Sequence, residues 1–444
     1  MKILVVGGGA REHAICDAIF RSKNAQIYSV MNNLNPGIEA MTVDYLLEKE
    51  TNVEPVVDYA KKNQIDIVLV GPEAPLEAGL VNKLNEEGIK ACAPTKEAAR
   101  IETDKEWMRN LLRKYSIPGQ LAFQSFTDIK KARRFIEDLN ANVALKPIGL
   151  TGGKGVRVAG DHFNGTDEAM KYVSEVISKK IGGSAKILVE EKAIGEEFTL
   201  QAFSDGYTIT PLPAVQDHKR LLPGDKGPNT GGMGSYSSSD GLLPFLTQSE
   251  YEEGATILQK IIEALAKEGC KYIGPVYGQF MLTVDGPKII EINARFGDPE
   301  AMNVLPLLKV DFTDICKAML KGNLSNQKIK MNEQSTICKY VVPEGYGVQS
   351  MVGELIEVDA ESISQAGVEL FYASVNKDNT HVKTTSSRSL AVVGIASDLS
   401  EAELQCEKAL SYIKGDHIFI RHDIGTSELI EKRVTHMNKL RGIT

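Results

Sequence analysis

The chain has 444 residues, 42% hydrophobic and 25% charged, with 51 Lys and Arg against 59 Asp and Glu and a net charge of −8. At about 150 residues per domain, three domains are expected. The acidic balance excludes nucleic acid and anionic membrane as main partners, but it leaves room for a local basic site that takes a small anion.

The first hundred residues alternate uniformly apolar runs, Ile3–Val6, Gln26–Val30 and Asp66–Val70, with helical patterns near Arg11–Arg21, Val53–Lys62 and Leu76–Glu87. That βαβαβ order predicts a doubly wound parallel sheet over residues 1–102, with a ligand crevice at the strand ends. Gly7-Gly8-Gly9 and Gly71-Pro72-Glu73 both follow strands and should face that crevice. Past Thr103 come helix Lys105–Tyr115, strand Leu121–Ser125, helix Asp128–Leu139 and strand Val143–Lys146. The glycine-rich loop 149–155, strand Val156–Ala159, helix Asp167–Lys180 and strand Ala185–Glu190 complete a small α+β unit, about 121–192. Strand Glu197–Ser204 precedes a loop, Gln216–Leu242, with no evident structure of its own; a loop that long is more often functional than filler. Helix Gln248–Glu268 and strands Val276–Thr283 and Lys288–Asn293 then lead into Arg295–Glu300, where a helix should start near Asp298. This second domain spans 103–330. The third, 331–444, mixes strands Ser335–Val342, Leu390–Ile395 and His417–Ile420 with helix Glu401–Lys414 as a small α+β domain.

Six scattered cysteines without a CxxC suggest neither a zinc site nor a disulfide framework, which fits a reducing cytoplasm. The apolar run at the N-terminus is too short for a signal peptide, and no stretch approaches a membrane span.

Several segments carry chemistry. Gly7-Gly8-Gly9-Ala10-Arg11-Glu12 ends a strand and opens a helix, a natural phosphate seat. The third glycine of a dinucleotide fingerprint is replaced by Glu12 and no acid closes the second strand, so a nicotinamide dinucleotide does not fit. A tight turn alone and a phosphate-bearing ligand both stay open. The second glycine loop is not a Walker A motif, because Ile148 and Gly155 stand where its first glycine and its hydroxyl belong. It reads either as a solvated loop or as a flap over a polyphosphate, flanked by Lys146 and Lys154. Glu190 through Glu197 is either an acidic linker or a hinge offering main-chain groups near Glu191–Ala193 to a base and Glu197 to a ribose. Glu291 and Asn293, at i and i+2 on one strand, face the same side, and Gln279 on the preceding strand can come alongside. Such hard oxygens suit Mg²⁺ held partly by nucleotide phosphates, against the alternative of an ordinary polar edge. Arg295 can grip a carboxylate or phosphate bidentately. Asp217-His218-Lys219-Arg220 is either a solvated charge cluster or part of the site. With Lys105, Lys146, Lys154, Lys219 and Arg295 gathered there, the cleft is expected to be locally basic.

The order of lysine strand, glycine flap, acidic hinge and Glu-x-Asn resembles the ATP-grasp ligases. Within them, Gly7–His13, Gly71–Leu76, Gln216–Arg220, Gly227–Gly234 and Arg295–Glu300 resemble the phosphoribosylamine–glycine ligase family, and the likeness continues through Ser387-Arg388 and Phe419–Gly425. The resemblance implies that the second domain is an ATP-grasp core. It implies ligation of glycine to 5-phosphoribosylamine through glycyl phosphate, in purine biosynthesis, with ATP and Mg²⁺ or Mn²⁺. Carried onto this chain, it puts Lys105 and Lys146 on the ATP phosphates under a flap of Gly152, Gly153, Lys154 and Gly155. Glu190, Glu191 and Ala193 then match the adenine hinge, Glu197 the ribose contact, and Gln279, Glu291 and Asn293 the metal site. Many ATP-grasp enzymes carry an acid where Gln279 stands, so its amide oxygen or a water fills that position here. Arg295 clamps the carboxylate or acyl phosphate, and Lys146, Asp217 and Lys219 join it as catalytic groups. Gly8, Gly9 and Glu73 line the amine pocket, with Asp217 and Lys219 closing it. A monomer without a further catalytic domain is expected, and transient contact with the upstream amidotransferase stays open. The rivals are another ATP-grasp enzyme, such as a carboxylase using bicarbonate, and a nucleotide-binding regulator without turnover.

Overall fold

In the computed structural model, which describes residues 1–149 and 155–443, Lys2–Val6 is the central strand of a five-stranded parallel sheet. The order is Thr42–Leu47, Gln26–Met31, Lys2–Val6, Ile67–Val70, Lys90–Ala91. Helices cover both faces. Leu4, Val6, Val68 and Val70 join one core, and Ile3, Val5, Ile67 and Leu69 the other. Strand order reverses at Lys2–Val6, so the loops after it and after Ile67–Val70 open on one crevice. The single helix expected near Leu76–Glu87 is two, Glu73–Glu77 and Leu80–Glu86. Gly79 between them takes φ +89°, which a continuing helix cannot. The edge strand Thr42–Leu47 escaped notice because no residue in it is buried, so it lacks an apolar run.

Four antiparallel strands, ordered Phe123–Phe126, Ile187–Glu191, Val143–Pro147 and Arg157–Val158, form the small sheet. Helices Ile129–Asp138 and Gly165–Lys179 close a separate core there around Phe126, Ile136, Leu145, Val173 and Val189. Gly152, Gly153 and Lys154 lie outside the described residues.

The larger antiparallel sheet runs Ile209–Pro211, Glu196–Asp205, Ile273–Thr283, Gly286–Asn293. One face buries Phe198, Leu200, Phe280, Leu282 and Ile289 against Ile257, Leu258 and Ile261 of helix Gln248–Lys267. Alternation then breaks: Phe280 pairs with Ile289, but its neighbour Gln279 pairs with Glu291. Ile290 is thus the extra residue of a β-bulge. In an unbroken strand Glu291 would share the apolar face of Ile289, two residues away. The bulge turns Glu291 and Asn293 to the opposite face, beside Gln279 and Tyr277.

The segment Gln216–Leu242, expected to be without structure of its own, contains four short strands: Gln216–Asp217, Arg220–Leu222, Lys226–Asn229 and Gly234–Ser237. The middle two form a hairpin, while the outer two join a six-stranded sheet with Ser335–Pro343, Leu390–Ala396, Glu369–Tyr372 and Ile418–Ile420. Gln216–Asp217 pairs with Gly234–Ser237, whose other partner, Ser335–Pro343, lies about a hundred residues downstream, so no local pattern marks them. The helix expected over Glu401–Lys414 stops at Leu410, and Ile413–Lys414 pairs as a strand with Leu355–Val358. A last helix, Ser427–Leu440, lays Arg433 and His436 against Glu196, 3.1 and 2.6 Å away. Among the described residues no helix is long and apolar enough to cross a membrane.

Candidate active site

The polar face of the larger sheet gathers Glu197, Gln279, Glu291 and Asn293. Gln279 Nε2 donates to Glu197 Oε2 at 2.5 Å, and Asn293 Nδ2 to Glu291 Oε1 at 3.3 Å. Gln279 Oε1 is buried and has no partner among the described residues. Burial pushes the Glu291 carboxyl up, but Lys219, Lys146 and Lys105, with the Asn293 bond, hold it below the usual range. It is therefore an anion at neutral pH.

Lys146, on strand Val143–Pro147, faces that strand from the small sheet. Its ammonium pairs with Glu190 and donates to Ile290 O at 3.1 Å. Arg109, wholly buried on helix Lys105–Lys114, pairs with the same Glu190 and donates to Ile289 O and Ile290 O at 2.8 and 3.1 Å. The Glu190 carboxylate is thus shared by two cations. Glu191 is exposed, Ala193 half-buried, and the main chain there stays at the strand end. Lys105 Nζ donates to Gly149 O at 2.9 Å, at the root of the glycine loop, and Gly155 at its far end is buried.

The first glycine loop is not an open phosphate seat. The Glu12 carboxylate fills it, accepting Gly9 N–H at 2.6 Å and Arg11 Nε at 2.6 Å. A Cβ on Gly7, Gly9 or Gly71 would stand 2.6, 2.7 or 1.9 Å from that side chain. Glu12 therefore replaces the third glycine of a dinucleotide fingerprint with a charge the loop itself satisfies. Gly8 O accepts from Asn35 Nδ2 at 3.0 Å. Nearby, Arg295 is held by Glu73 at 3.3 Å and Glu102 at 3.1 Å. Glu102 also accepts Ala294 N–H at 2.6 Å, directly after the Glu291–Asn293 pair. Burial pushes Glu102 up to about 7. Glu73 is raised by burial too, but Arg295 and Arg11 bring it below the usual carboxylate range.

Strand Glu196–Asp205 pairs at Thr199 with Val215, and this draws the Gln216–Arg220 run over the polar face. Lys219 Nζ sits 3.7 Å from Glu197. Burial lowers the Lys219 ammonium, but Glu197, Glu291, Asp217 and Glu300 together raise it. Asp217 is pushed well up by burial and by Glu300, whose carboxyl accepts from Tyr277 OH at 2.9 Å. Arg388 donates to Gly231 O at 2.6 Å and pairs with Asp298 at 2.9 Å, tying the third domain to the loop.

Residues 1–102, 103–301 and 336–427 match the N, ATP-grasp (A) and C domains of phosphoribosylglycinamide synthetase. The chain is 52% identical over 441 residues to a phosphoribosylamine–glycine ligase of Methanothermobacter thermautotrophicus, covering 99% of this chain and 100% of the relative. The chain belongs to the phosphoribosylamine–glycine ligase family. A family member from Methanosarcina barkeri is 50% identical over 444 residues, with both chains fully covered. The crystal structure of phosphoribosylamine–glycine ligase from Thermotoga maritima superposes with TM-score 0.81 at 24% identity, over 96% of this chain and 100% of that one. A biotin carboxylase from Campylobacter jejuni shares the fold at TM-score 0.73 and 15% identity, over 99% of this chain and 98% of that one.

In this phosphoribosylamine–glycine ligase family chain, the oxygens of Gln279, Glu291 and Asn293 fit a hard divalent cation. Gln279 is the decisive one: its amide nitrogen is engaged by Glu197, and its buried oxygen is left without a donor. Among the described residues no three His, Cys, Asp or Glu side chains form a metal cluster, so most of the remaining ligands must come from phosphate or water. Of the five cations expected to make the cleft basic, Lys105 donates to Gly149 O, Lys154 lies outside the described residues, and the other three are paired. Lys146, Lys219 and Arg295 each already face a carboxylate: Glu190, Glu197, or Glu73 with Glu102. Sequence reasoning missed Arg109, Glu102 and Tyr277. Arg109 stands four residues after Lys105, on the same helix face, and that spacing was its one visible signal.

Proposed function

We propose that this chain ligates glycine to 5-phosphoribosylamine, giving glycinamide ribonucleotide, ADP and phosphate, as a step of purine biosynthesis in the cytoplasm. The observation that carries the reading is the bulged strand, which presents Glu291 and Asn293 beside Gln279, with Lys146 above and Arg295 at its exit. Lys105 and Lys146 bind the ATP phosphates beneath the Gly152–Gly155 flap, Lys154 included. Main chain at Glu191–Ala193 takes the adenine and Glu197 the ribose, while Glu190 holds Lys146 until phosphate replaces it. Gln279, Glu291 and Asn293 hold Mg²⁺, or Mn²⁺, which when bound neutralises phosphate charge.

Glycine is gripped through its carboxylate by Arg295. One carboxylate oxygen attacks the γ-phosphorus, the bond to ADP breaks, and glycyl phosphate forms. The phosphoribosylamine nitrogen then attacks the glycyl carbonyl, phosphate leaves, and the nitrogen loses a proton. Gly8, Gly9 and Glu73 border the amine, with Asp217 and Lys219 over it. The work of the chain is alignment and charge neutralisation rather than a protein nucleophile. The division into 1–102, 103–330 and 331–444 belongs to the same reading. It is supported by separate sheets, although Gly234–Ser237 pairs across the last boundary. The chain acts as a monomer on small molecules.

The test is ADP release with phosphoribosylamine generated in situ. Turnover should need glycine and the amine together. If bicarbonate supports release in place of glycine, the chain is a carboxylase instead.

A further inference from the structure

The bulge at Ile290 raises a question about what keeps it in place. An extra residue in a strand leaves main-chain groups off the ladder, and these need other partners. Here Ile289 O and Ile290 O both accept from Arg109 Nη2, at 2.8 and 3.1 Å, and Ile290 O also accepts from Lys146 Nζ at 3.1 Å. Arg109 comes from helix Lys105–Lys114, outside the sheet, and its Nε, with the same Nη2, donates to Glu190 of the small sheet. Its side chain is wholly buried, so it does not contact solvent or an open cleft. The residue after the bulge is Glu291, and the bulge alone sets which face of the sheet Glu291 occupies.

We infer that Arg109 is a positioning residue for the metal ligands: by capturing the two bulge carbonyls it holds Glu291 and Asn293 on the face of Gln279. The inference rests on the proposed metal role of those three side chains. Arginine suits the task because one planar fork reaches two carbonyls and a carboxylate at once, which a lysine cannot. The simpler alternative is that Arg109 only neutralises the buried Glu190.

A charge-preserving pair of substitutions separates the two. Arg109→Met with Glu190→Gln removes one cation and one anion, leaving Lys146 and the same net charge. If Arg109 were only a counter-ion, this double variant would recover metal binding. If Arg109 holds the bulge, Mn²⁺ binding in the presence of ADP, followed by the signal of free Mn²⁺ in electron paramagnetic resonance, should weaken about tenfold. Glu190→Gln alone keeps the carbonyl bonds and sets the baseline, so the loss of about tenfold in the double variant is read against it. The glycine KM of the double variant should stay within about twofold, since Arg295 keeps its own partners. Wild-type Mn²⁺ affinity in the double variant, or an equal loss on the glycine KM, overturns the inference. Should the double variant not fold, Arg109→Lys, which keeps the charge but not the fork, tests the same point, and wild-type Mn²⁺ affinity there also overturns it. Glu291→Gln is the control for the underlying reading: if it binds Mn²⁺ like wild type, the metal assignment itself falls.

Discussion

Glu102 is buried at the end of helix Lys96–Thr103, where desolvation pushes its carboxyl up to about 7. Arg295 and the Ala294 amide pull against that rise, while Glu73 and Glu291 add to it. The folded chain therefore keeps a proton that the unfolded chain, near the ordinary glutamate value of 4.5, gives up. Between those values the folded state binds more protons, so this group makes stability fall as pH rises from about 4.5 to 7. The full effect is on the order of 3 kcal/mol, at about 1.4 kcal/mol per unit. Glu102→Gln keeps the shape and cannot titrate. Its unfolding free energy relative to wild type should improve by up to about 3 kcal/mol on going from pH 5 to pH 8. Urea midpoints at the two pH values check this, and parallel curves would remove Glu102 as the titrating group. Glu102 had no local signature: it is one acid in a helical turn, and only the fold brings it to Arg295.

Elements differ in how much of them could be read in advance. Ile3–Val6 and Ile67–Val70 are apolar throughout because helices cover both faces, and their runs say so locally. The short strands between Gln216 and Ser237 say nothing locally, since two of them complete a sheet whose centre is Ser335–Pro343. Glu291 and Asn293 were legible as a pair through the i, i+2 rule, but the bulge that gives them their face was not. A register shift is a property of two strands together. The hairpin Arg220–Leu222/Lys226–Asn229 shows the same dependence. Its turn residue Asp225, at φ +58°, accepts from Arg421 at 2.9 Å and His218 at 3.2 Å and pairs with Arg433. Burial raises Asp225, but His218, Arg433 and Arg421 hold it far below the usual carboxylate range. Asn tolerates the left-handed backbone, so Asp225→Asn removes charge without strain. It should destabilise the chain by about 3 kcal/mol at neutral pH, because Arg421 is wholly buried. A depressed value stabilises above the unfolded one and is lost as pH falls, so the gap to wild type should close below about pH 4. Thermal unfolding across pH 2.5–7 measures it, and a gap that stays constant over about that range rejects Asp225 as the hub.

Across the whole molecule, a net charge of −8 surrounds a site meant for anions. A cleft of unpaired lysines would overcome that by projecting a positive field and speeding the arrival of ATP, an effect that falls steeply with salt. The site found here is built differently. Lys146 rests on Glu190, Lys219 lies near Glu197, and Arg295 is shared by Glu73 and Glu102. Paired charges cancel at a distance, and beyond a Debye length of about 10 Å at 0.1 M salt little field remains. Nucleotide phosphate would then be recognised at contact, by exchange of a carboxylate partner for a phosphate one, rather than by long-range attraction. The consequence is measurable. kcat/KM for ATP at fixed saturating glycine and Mg²⁺ should change by less than about twofold between 50 and 300 mM KCl. A steep decline, about tenfold or more over that range, would mean that the masked partners of these cations are not what the nucleotide meets, and that a free basic surface steers it in.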